Sequence, residues 1–366
     1  MARIYRADQI GSLLRPPELL EARAAYTDGR IDLEQLRFVE DQAILDTLKM
    51  QRAAGIDVFT DGEYRRRDFR TNFAEALEGF VEIANPIDWN GPKPGSVAPT
   101  PGWYVGATLK QRHRISGHES SFLKDNAGGP YKICIPSPGF MAGRSYQPGV
   151  TDAFYPTPVH LLHALADIVR GEIKALVDEG VPYVQLDAPG YTVFMDSRHR
   201  QRLQDSGLDI DLALDESISA DNACLEGADT DRTTIAMHLC RGNNQSHWHS
   251  EGGYEPIAER LFGTLRVGTF LLEYDTGRAG GFEPLRFVPR GKNVVLGLVT
   301  TKEGHLESPD ELLRRIEDAA QYVPIENLAI SPQCGFATVS QGNLISWDEQ
   351  TRKLELVAET ARKVWG

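Results

Sequence analysis

The chain has 366 residues, with 39 basic and 52 acidic side chains, a formal net charge of −13, 41% hydrophobic and 25% charged residues. That is the balance of a soluble globular protein, long enough for two ordinary domains or one α/β barrel of roughly 250 residues with insertions. The negative charge without a Lys/Arg stripe argues against a nucleic-acid partner, and no run approaches the roughly 18 apolar residues of a membrane span.

Eight short apolar, β-rich runs follow one another, at 4–10, 57–63, 132–137, 183–187, 233–240, 269–275, 293–300 and 328–334. No apolar stretch of signal-peptide length precedes the first, so a cytoplasmic protein is expected. Several runs are nearly continuous in Val, Ile and Leu, as in parallel strands covered on both faces. Between the second and third, residues 65–131 are rich in Gly, Pro, Trp and polar side chains, including the run at 89–95. A loop of this length is uncommon unless functional, and it reads as an insertion over one end of the fold, with a small hairpin. Its Arg65-Arg66-Arg67 run lies among acidic neighbours and reads as a solvated or substrate-facing patch. A helix over 159–180 follows, with Leu161, Leu162, Leu165, Ile168, Val169 and Ile173 at helical spacing and Gly180 closing it. Ser308-Pro309-Asp310-Glu311 starts another, with Ser308 as N-cap and Leu312, Leu313, Ile316 and Ala319 as its apolar stripe. The last helix runs from about 347 to 365. Eight strands alternating with helices predict an α/β fold, a (β/α)8 TIM barrel, formed by 1–366 as one domain. A doubly wound sheet is the alternative, but no Gly-x-Gly-x-x-Gly turn follows the first strand.

Residues two apart on a strand share a face, so His238 and Cys240 can converge on one point. Glu273 and Cys334 end two later runs, and at a barrel mouth the four make a plausible tetrahedral zinc shell. The plainer readings stand beside this one. The four cysteines are too few for a disulfide framework, and a buried Cys usually packs as a small hydrophobe, which is the reading for Cys224 and Cys134. His160 and His163 read as surface or packing residues of a helix, and His247 and His249 as residues of a polar loop around Trp248. Glu63 and Asp187 each close an apolar run. A carboxylate there needs a cationic substrate group, a base role, a metal or a loop arginine such as Arg65 or Arg144. In Gln9-Ile10-Gly11-Ser12 the glycine lets backbone and the Ser12 hydroxyl approach a carboxylate closely.

The set Ile10-Gly11-Ser12, Asp61-Gly62-Glu63, Gln185-Leu186-Asp187-Ala188-Pro189, His238-Leu239-Cys240, Leu272-Glu273 and Pro332-Gln333-Cys334-Gly335 resembles the catalytic half of cobalamin-independent methionine synthase. The resemblance follows that family's order over essentially the whole chain. It implies a (β/α)8 barrel whose Zn2+ binds and activates the thiol of homocysteine for methyl transfer. By matching position, His238, Cys240, Glu273 and Cys334 are the implied zinc ligands. Ile10, Gly11 and Ser12 would hold the carboxylate of homocysteine, and Glu63 and Asp187 its ammonium. Zinc favours the thiolate of a thiol that is otherwise mostly protonated at neutral pH, and Glu273, the hardest ligand, is expected to yield to it. Three features depart from the family: a second, N-terminal barrel is not expected here, the family's donor-stacking Trp is replaced around Ser137-Pro138-Gly139-Phe140, and the family's His after the seventh strand is missing. Phe140 or Trp103 is the substitute aromatic. His305, several positions late, is the candidate proton donor, with Asp187 as a further catalytic candidate.

The expected partners are a small-molecule thiol, homocysteine first, and a methyl or alkyl donor, with a homo-oligomer left open. Epoxyalkane–coenzyme M transferases share the zinc-thiol chemistry, but a sulfonate-bearing thiol would favour cations where Glu63 and Asp187 stand. A uroporphyrinogen decarboxylase-like barrel needs no zinc and leaves the His238, Cys240, Glu273 and Cys334 set unexplained. A zinc-stabilised binding protein without turnover leaves the polar strand ends unexplained.

Overall fold

The computed structural model describes residues 3–85, 89–92, 97 and 100–366. In chain order its elements are α1 (Pro17–Thr27), α2 (Leu33–Ala54), α3 (Thr71–Glu75), β1 (Leu77–Asn85), β2 (Thr100–Gln111), α4 (Gly117–Asn126), β3 (Lys132–Pro136), α5 (Pro138–Ser145), α6 (Pro158–Asp178), β4 (Tyr183–Asp187), α7 (Ser197–Asp205), α8 (Ile210–Ala223), β5 (Thr234–Leu239), α9 (Glu255–Thr264), β6 (Thr269–Glu273), β7 (Asn293–Val299), α10 (Pro309–Ala320), β8 (Leu328–Pro332) and α11 (Trp347–Trp365).

Strands β3 to β8 pair in parallel in sequence order. Each is buried along its length, as strands are when helices cover a sheet whose other face is also filled. Of the eight strands expected, the runs at 4–10 and 57–63 do not extend into strands. Each makes a single parallel bridge, Ala7 with Ile330 and Phe59 with Tyr131. Side chains take over their backbone groups. Asp57 Oδ2 accepts the N–H groups of Arg6 and Ala7 at 2.8 and 2.9 Å, and Gln51 Oε1 accepts that of Thr60 at 2.9 Å. Phe59 donates to Pro130 O, and since Pro130 has no N–H the returning bond comes from Lys132. Five backbone bonds carry the pairing from β8 through both segments to β3: Asp8 N–H to Ile330 O, Ile330 N–H to Arg6 O, Asp57 N–H to Ala7 O, Phe59 N–H to Pro130 O and Lys132 N–H to Phe59 O. Within this ring Tyr5, Val58, Tyr183, Ala236, Leu271, Val295 and Ala329 form a small apolar cluster, separate from the large layer between sheet and helices.

The outer helices follow their sequence signals. Thr157 caps α6 by accepting the His160 N–H, Pro158 stands in its first turn, and Leu161, Leu165, Val169, Ile173 and Leu176 are buried. Ser346 and Glu349 form a reciprocal capping box on α11. Ser308 occupies the N-cap position of α10, but its hydroxyl makes no capping bond.

Within the insertion expected at 65–131, β1 and β2 pair antiparallel as a hairpin. Of the run at 89–95, Lys93, Pro94 and Gly95 lie outside the described residues. Asn90 and Trp248 exchange N–H···O bonds of 2.8 Å each way, which brings Trp89 to the C-terminal end of the parallel strands. Among the described residues no helix is long and apolar enough to cross a membrane.

Candidate active site

The register of β4 against β5 sets Asp187 beside His238. Their side chains meet, with His238 Nδ1 3.0 Å from Asp187 Oδ1. Cys240 follows one residue after β5, and Cys334 two after β8. The ligand atoms of His238, Cys240 and Cys334 lie within 4.8 Å of one another, all buried. In the thiol pair the proton stays with Cys240, whose pKa is raised well above the ordinary value, while Cys334 is lowered to about 7. The hydrogen bond between them is the largest cause of both shifts. Burial works against a charge on His238, but the bond to Asp187 and the neighbouring negative charges outweigh it and raise its pKa. Two sulfurs and an imidazole with a carboxylate behind the ring suit zinc.

Glu273 is fully buried close behind this trio, yet it is not one of the converging group. Its Oε2 accepts the Arg241 N–H at 2.7 Å and its Oε1 the Arg278 guanidinium at 3.2 Å. Burial opposes its charge, but Arg241, Lys302 and Arg278 hold its pKa below the usual carboxylate value.

Glu63 approaches from the other side, on backbone with φ of 58°, a left-handed conformation that costs a non-glycine residue about 1 kcal/mol and marks functional sites. The ligand atoms of Glu63, Cys134 and Asp187 form a second buried group within 4.8 Å. Cys134 therefore faces the interior rather than the helix layer, and donates to Ile10 O at 3.3 Å. Gly11 permits this approach: its φ is 144°, and a Cβ there would stand 2.9 Å from Cys134 Sγ and 3.2 Å from Glu63 Oε1. Arg66 is the cation that comes to the acids. It lies 3.4 Å from Glu63 Oε1 and is clamped by both oxygens of Glu119, so the centre of the arginine run is buried rather than solvated. Arg65 turns away to Asp41. Burial, reinforced by Asp187 and Asp61 and opposed by Arg66 and Arg15, raises Glu63 to about 8. Its Oε2 has no hydrogen-bond partner among the described residues.

These groups share one cavity of ≈ 110 Å³, lined among others by Ile10, Ser12, Glu63, Asp187, His238, Cys240 and Cys334. The thiol–imidazole group and the carboxylate group therefore face one and the same space. Of the residues singled out in the sequence, Gly11 shapes the cavity from behind and Glu273 supports it. His305 is not brought there. It is exposed, 3.1 Å from Glu303, with its carbonyl held by Lys353. Trp103 is buried under the Arg70 guanidinium, whereas Phe140 lines the cavity. His249 also lines it, stacked on His199 with centroids 4.4 Å apart.

Three contributors were not singled out. Asn243 donates to Gly335 O at 2.7 Å and receives Lys302 Nζ at 3.1 Å, while buried Asn244 lines the cavity with neither amide atom paired among the described residues. The polar run Arg241-Gly242-Asn243-Asn244 directly after the His-x-Cys strand was the available signal. Lys302 stands in the corresponding place after β7.

Fold and site together define an α/β barrel-type protein with a thiol–imidazole centre at the strand ends. The profile of the cobalamin-independent synthase catalytic domain matches residues 6–89 and 158–363, and the chain belongs to that family, one of methyltransferases of the methionine-synthase type. Within it, the chain is 37% identical over 373 residues to the Bacillus subtilis (strain 168) uncharacterized protein YxjH, covering 99% of this chain and 95% of that one. It is 26% identical over 331 residues to a Sulfurisphaera tokodaii methionine synthase, covering 89% and 84%. A Listeria monocytogenes crystal structure, described as a candidate vitamin-B12 independent methionine synthase, is similar at a TM-score of 0.76 and 29% identity, covering 100% and 99%.

Proposed function

We propose that this protein is a zinc-dependent methyltransferase that moves a methyl group onto the sulfur of homocysteine, giving methionine. The observation that carries the reading is the convergence of His238, Cys240 and Cys334 in the same cavity as Glu63, Asp187 and Ser12. The soft S,S,N donor set, closely spaced and fully buried, fits zinc, and Glu273 is the fourth ligand that the family resemblance implies. Bound there, zinc supplies a Lewis acid that keeps a substrate thiol deprotonated at neutral pH.

The chain's own residues do the rest. Asp187 Oδ1 fixes the imidazole of His238 and its tautomer, so that Nε2 is the nitrogen left for the metal. The second Asp187 oxygen and Glu63, whose Oε2 is unpaired, provide negative charge for an ammonium. Ser12 and the backbone of Ile10 and Gly11 oppose it as the carboxylate end. One cavity is lined by Ser12 and Ile10 as well as by Glu63, Asp187 and the thiol–imidazole group, so a single amino-acid thiol can meet all three. The sulfur forms its bond to the methyl carbon as the carbon–donor bond breaks, and the departing group takes the electron pair and a proton.

Elemental analysis of the purified protein and of Cys334→Ser tests the centre. We expect one zinc per chain, with little or none in the variant, and loss of methionine formation alongside it. A protein without zinc, or zinc content indifferent to Cys334, would overturn the reading.

A further inference from the structure

Resting on that reading, we propose that Lys302 and Asn243 are positioning residues of the metal centre. Together they clamp the loop after β5 to the loop after β8 and hold Cys240 and Cys334 at binding distance before an ion arrives.

The two sulfurs come from strands that are not neighbours. β6 and β7 lie between β5 and β8 in the sheet, and each cysteine stands beyond the end of its strand. Segments past a strand end are more mobile than the strand itself, so a close thiol pair built there needs a tie of its own.

Lys302, in the loop after β7, supplies it. Its Nζ donates to Gly242 O and to Asn243 Oδ1, each at 3.1 Å. An ammonium can only donate, so the amide oxygen of Asn243 faces it and the amide nitrogen points the other way. That nitrogen donates to Gly335 O at 2.7 Å. The line therefore runs from the residue two after Cys240, through Lys302 and Asn243, to the residue directly after Cys334. At its near end the N–H of Gly242 is a donor to the Cys240 sulfur. Asn343 makes a second, separate tie between the same three loops. Its Oδ1 accepts the Ser246 N–H at 3.0 Å, and its Nδ2 donates to Thr301 O at 2.8 Å. The loops thus stay joined when Lys302 or Asn243 is replaced.

The charge of Lys302 has no use within its own loop. Lys302 and Asn243 are both buried, and an ammonium withdrawn from water is costly. The two bonds from its Nζ end on neutral oxygens. The anions that feel its charge are Glu273, Asp275 and Cys334, two of them in the proposed metal shell. Two thiolates and a carboxylate around a dication leave a net negative charge, and a buried cation beside them offsets it.

The test reads metal affinity and ligand geometry rather than turnover. Wild type, Asn243→Ala, Lys302→Met, Lys302→Arg and the double variant Asn243→Ala/Lys302→Met are stripped of metal, and thermal melts of the stripped proteins establish the fold. Zinc affinity is measured by competition with a chromophoric chelator, and the metal shell by the absorption spectrum of the cobalt-substituted protein. Phenylarsine oxide, which bridges two neighbouring thiols, reports on the thiol pair with no metal present. We expect Asn243→Ala and Lys302→Met each to weaken zinc by about tenfold to a hundredfold, to shift the cobalt bands and to weaken the arsenical as well. Lys302→Arg restores part of the affinity, and the double variant loses little more than the worse single one, as members of one unit do. Zinc affinity and cobalt bands unchanged in both single variants would overturn the proposal, as would losses that simply add in the double variant. The two readings fail separately. Zinc bound by the wild type but indifferent to Lys302 and Asn243 removes the clamp alone. A wild type that takes up no metal, with arsenical binding that still falls in Asn243→Ala, removes the methyl-transfer chemistry alone.

Discussion

Glu63 is expected to release a proton when an amino acid binds. With its pKa raised to about 8 by burial, the carboxyl is about 90% protonated at pH 7 in the empty cavity. An ammonium arriving beside it supplies the charge that the empty site lacks, and the carboxylate becomes the favoured form. L-Methionine isolates the effect, because it carries the ammonium and carboxylate but no titrating thiol. Calorimetry at pH 7 in buffers of different ionisation enthalpy should count about 0.9 proton released per methionine bound. The sign of the pH dependence follows: the deprotonated carboxylate is the binding form, so affinity rises with pH. Between pH 6 and pH 8 the deprotonated fraction grows from about 1% to about 50%, so affinity should rise by about fiftyfold. Glu63→Gln keeps the shape, removes the titration, flattens the profile and weakens methionine at pH 8 by about tenfold to a hundredfold. Buffer-independent heats in the wild type, or the same proton count in Glu63→Gln, would refute the assignment of Glu63 to the ammonium.

Two further substitutions probe the frame. Gly335→Ala would put a Cβ 2.0 Å from Ser12 Oγ and 3.2 Å from Ser12 N, and Ser12 cannot retreat because its carbonyl holds the Phe336 N–H at 2.8 Å; we expect a loss of about 1–3 kcal/mol in chemical denaturation together with weaker methionine binding, and an unchanged variant would show that Ser12 is not held there. Asp221, buried under Tyr191 with a 2.6 Å bond from its hydroxyl, is raised to about 7 by burial. The folded state therefore holds a proton that the unfolded chain gives up near pH 4, and stability falls as pH rises from roughly 4 to 7, by on the order of 4 kcal/mol. Urea denaturation at pH 5 and pH 8 should show that fall in the wild type and a much smaller one in Asp221→Asn; parallel profiles would refute it.

The strand ends were legible because their chemistry is local. Period-two spacing puts His238 and Cys240 on one face whatever the rest of the chain does, and an apolar run closed by a carboxylate announces Glu63 and Asp187. Helical spacing of apolar residues likewise marked α6, α10 and α11. What the sequence hid is set by distant partners. The runs at 4–10 and 57–63 look as β-rich as the others, but Asp57 and Gln51 take up backbone groups that a ladder would have used. Cys134 read as a packing residue because a strand of buried residues does not say which face is inside. Arg66 could not be told from Arg65, since only the position of Glu119 in α4, 53 residues away, draws it inward. His305 was proposed from a neighbouring strand end, yet the loop after β7 turns outward and leaves it exposed beside Glu303.

The interior of a TIM-type barrel is ordinarily filled by apolar layers, and the site depends on one layer here being polar. Fully buried Lys132 bonds Asp8 Oδ1 at 2.7 Å and Gln185 Oε1 at 2.8 Å. An ammonium can only donate, so it forces the Gln185 oxygen towards itself and the Gln185 Nε2 the other way. That nitrogen then donates to Ile10 O at 2.7 Å and to Asp187 Oδ1 at 2.8 Å. Asp187 Oδ1 thus receives Gln185 and His238 together, and its other oxygen is the one left facing the cavity. Burying such a chain is unfavourable unless every member is paired, and each link named here is. The orientation of His238 is therefore set from beneath, through Gln185 and Lys132, before any metal or substrate arrives, and the same chain holds Ile10, the first residue of the turn proposed to receive the carboxylate of the substrate.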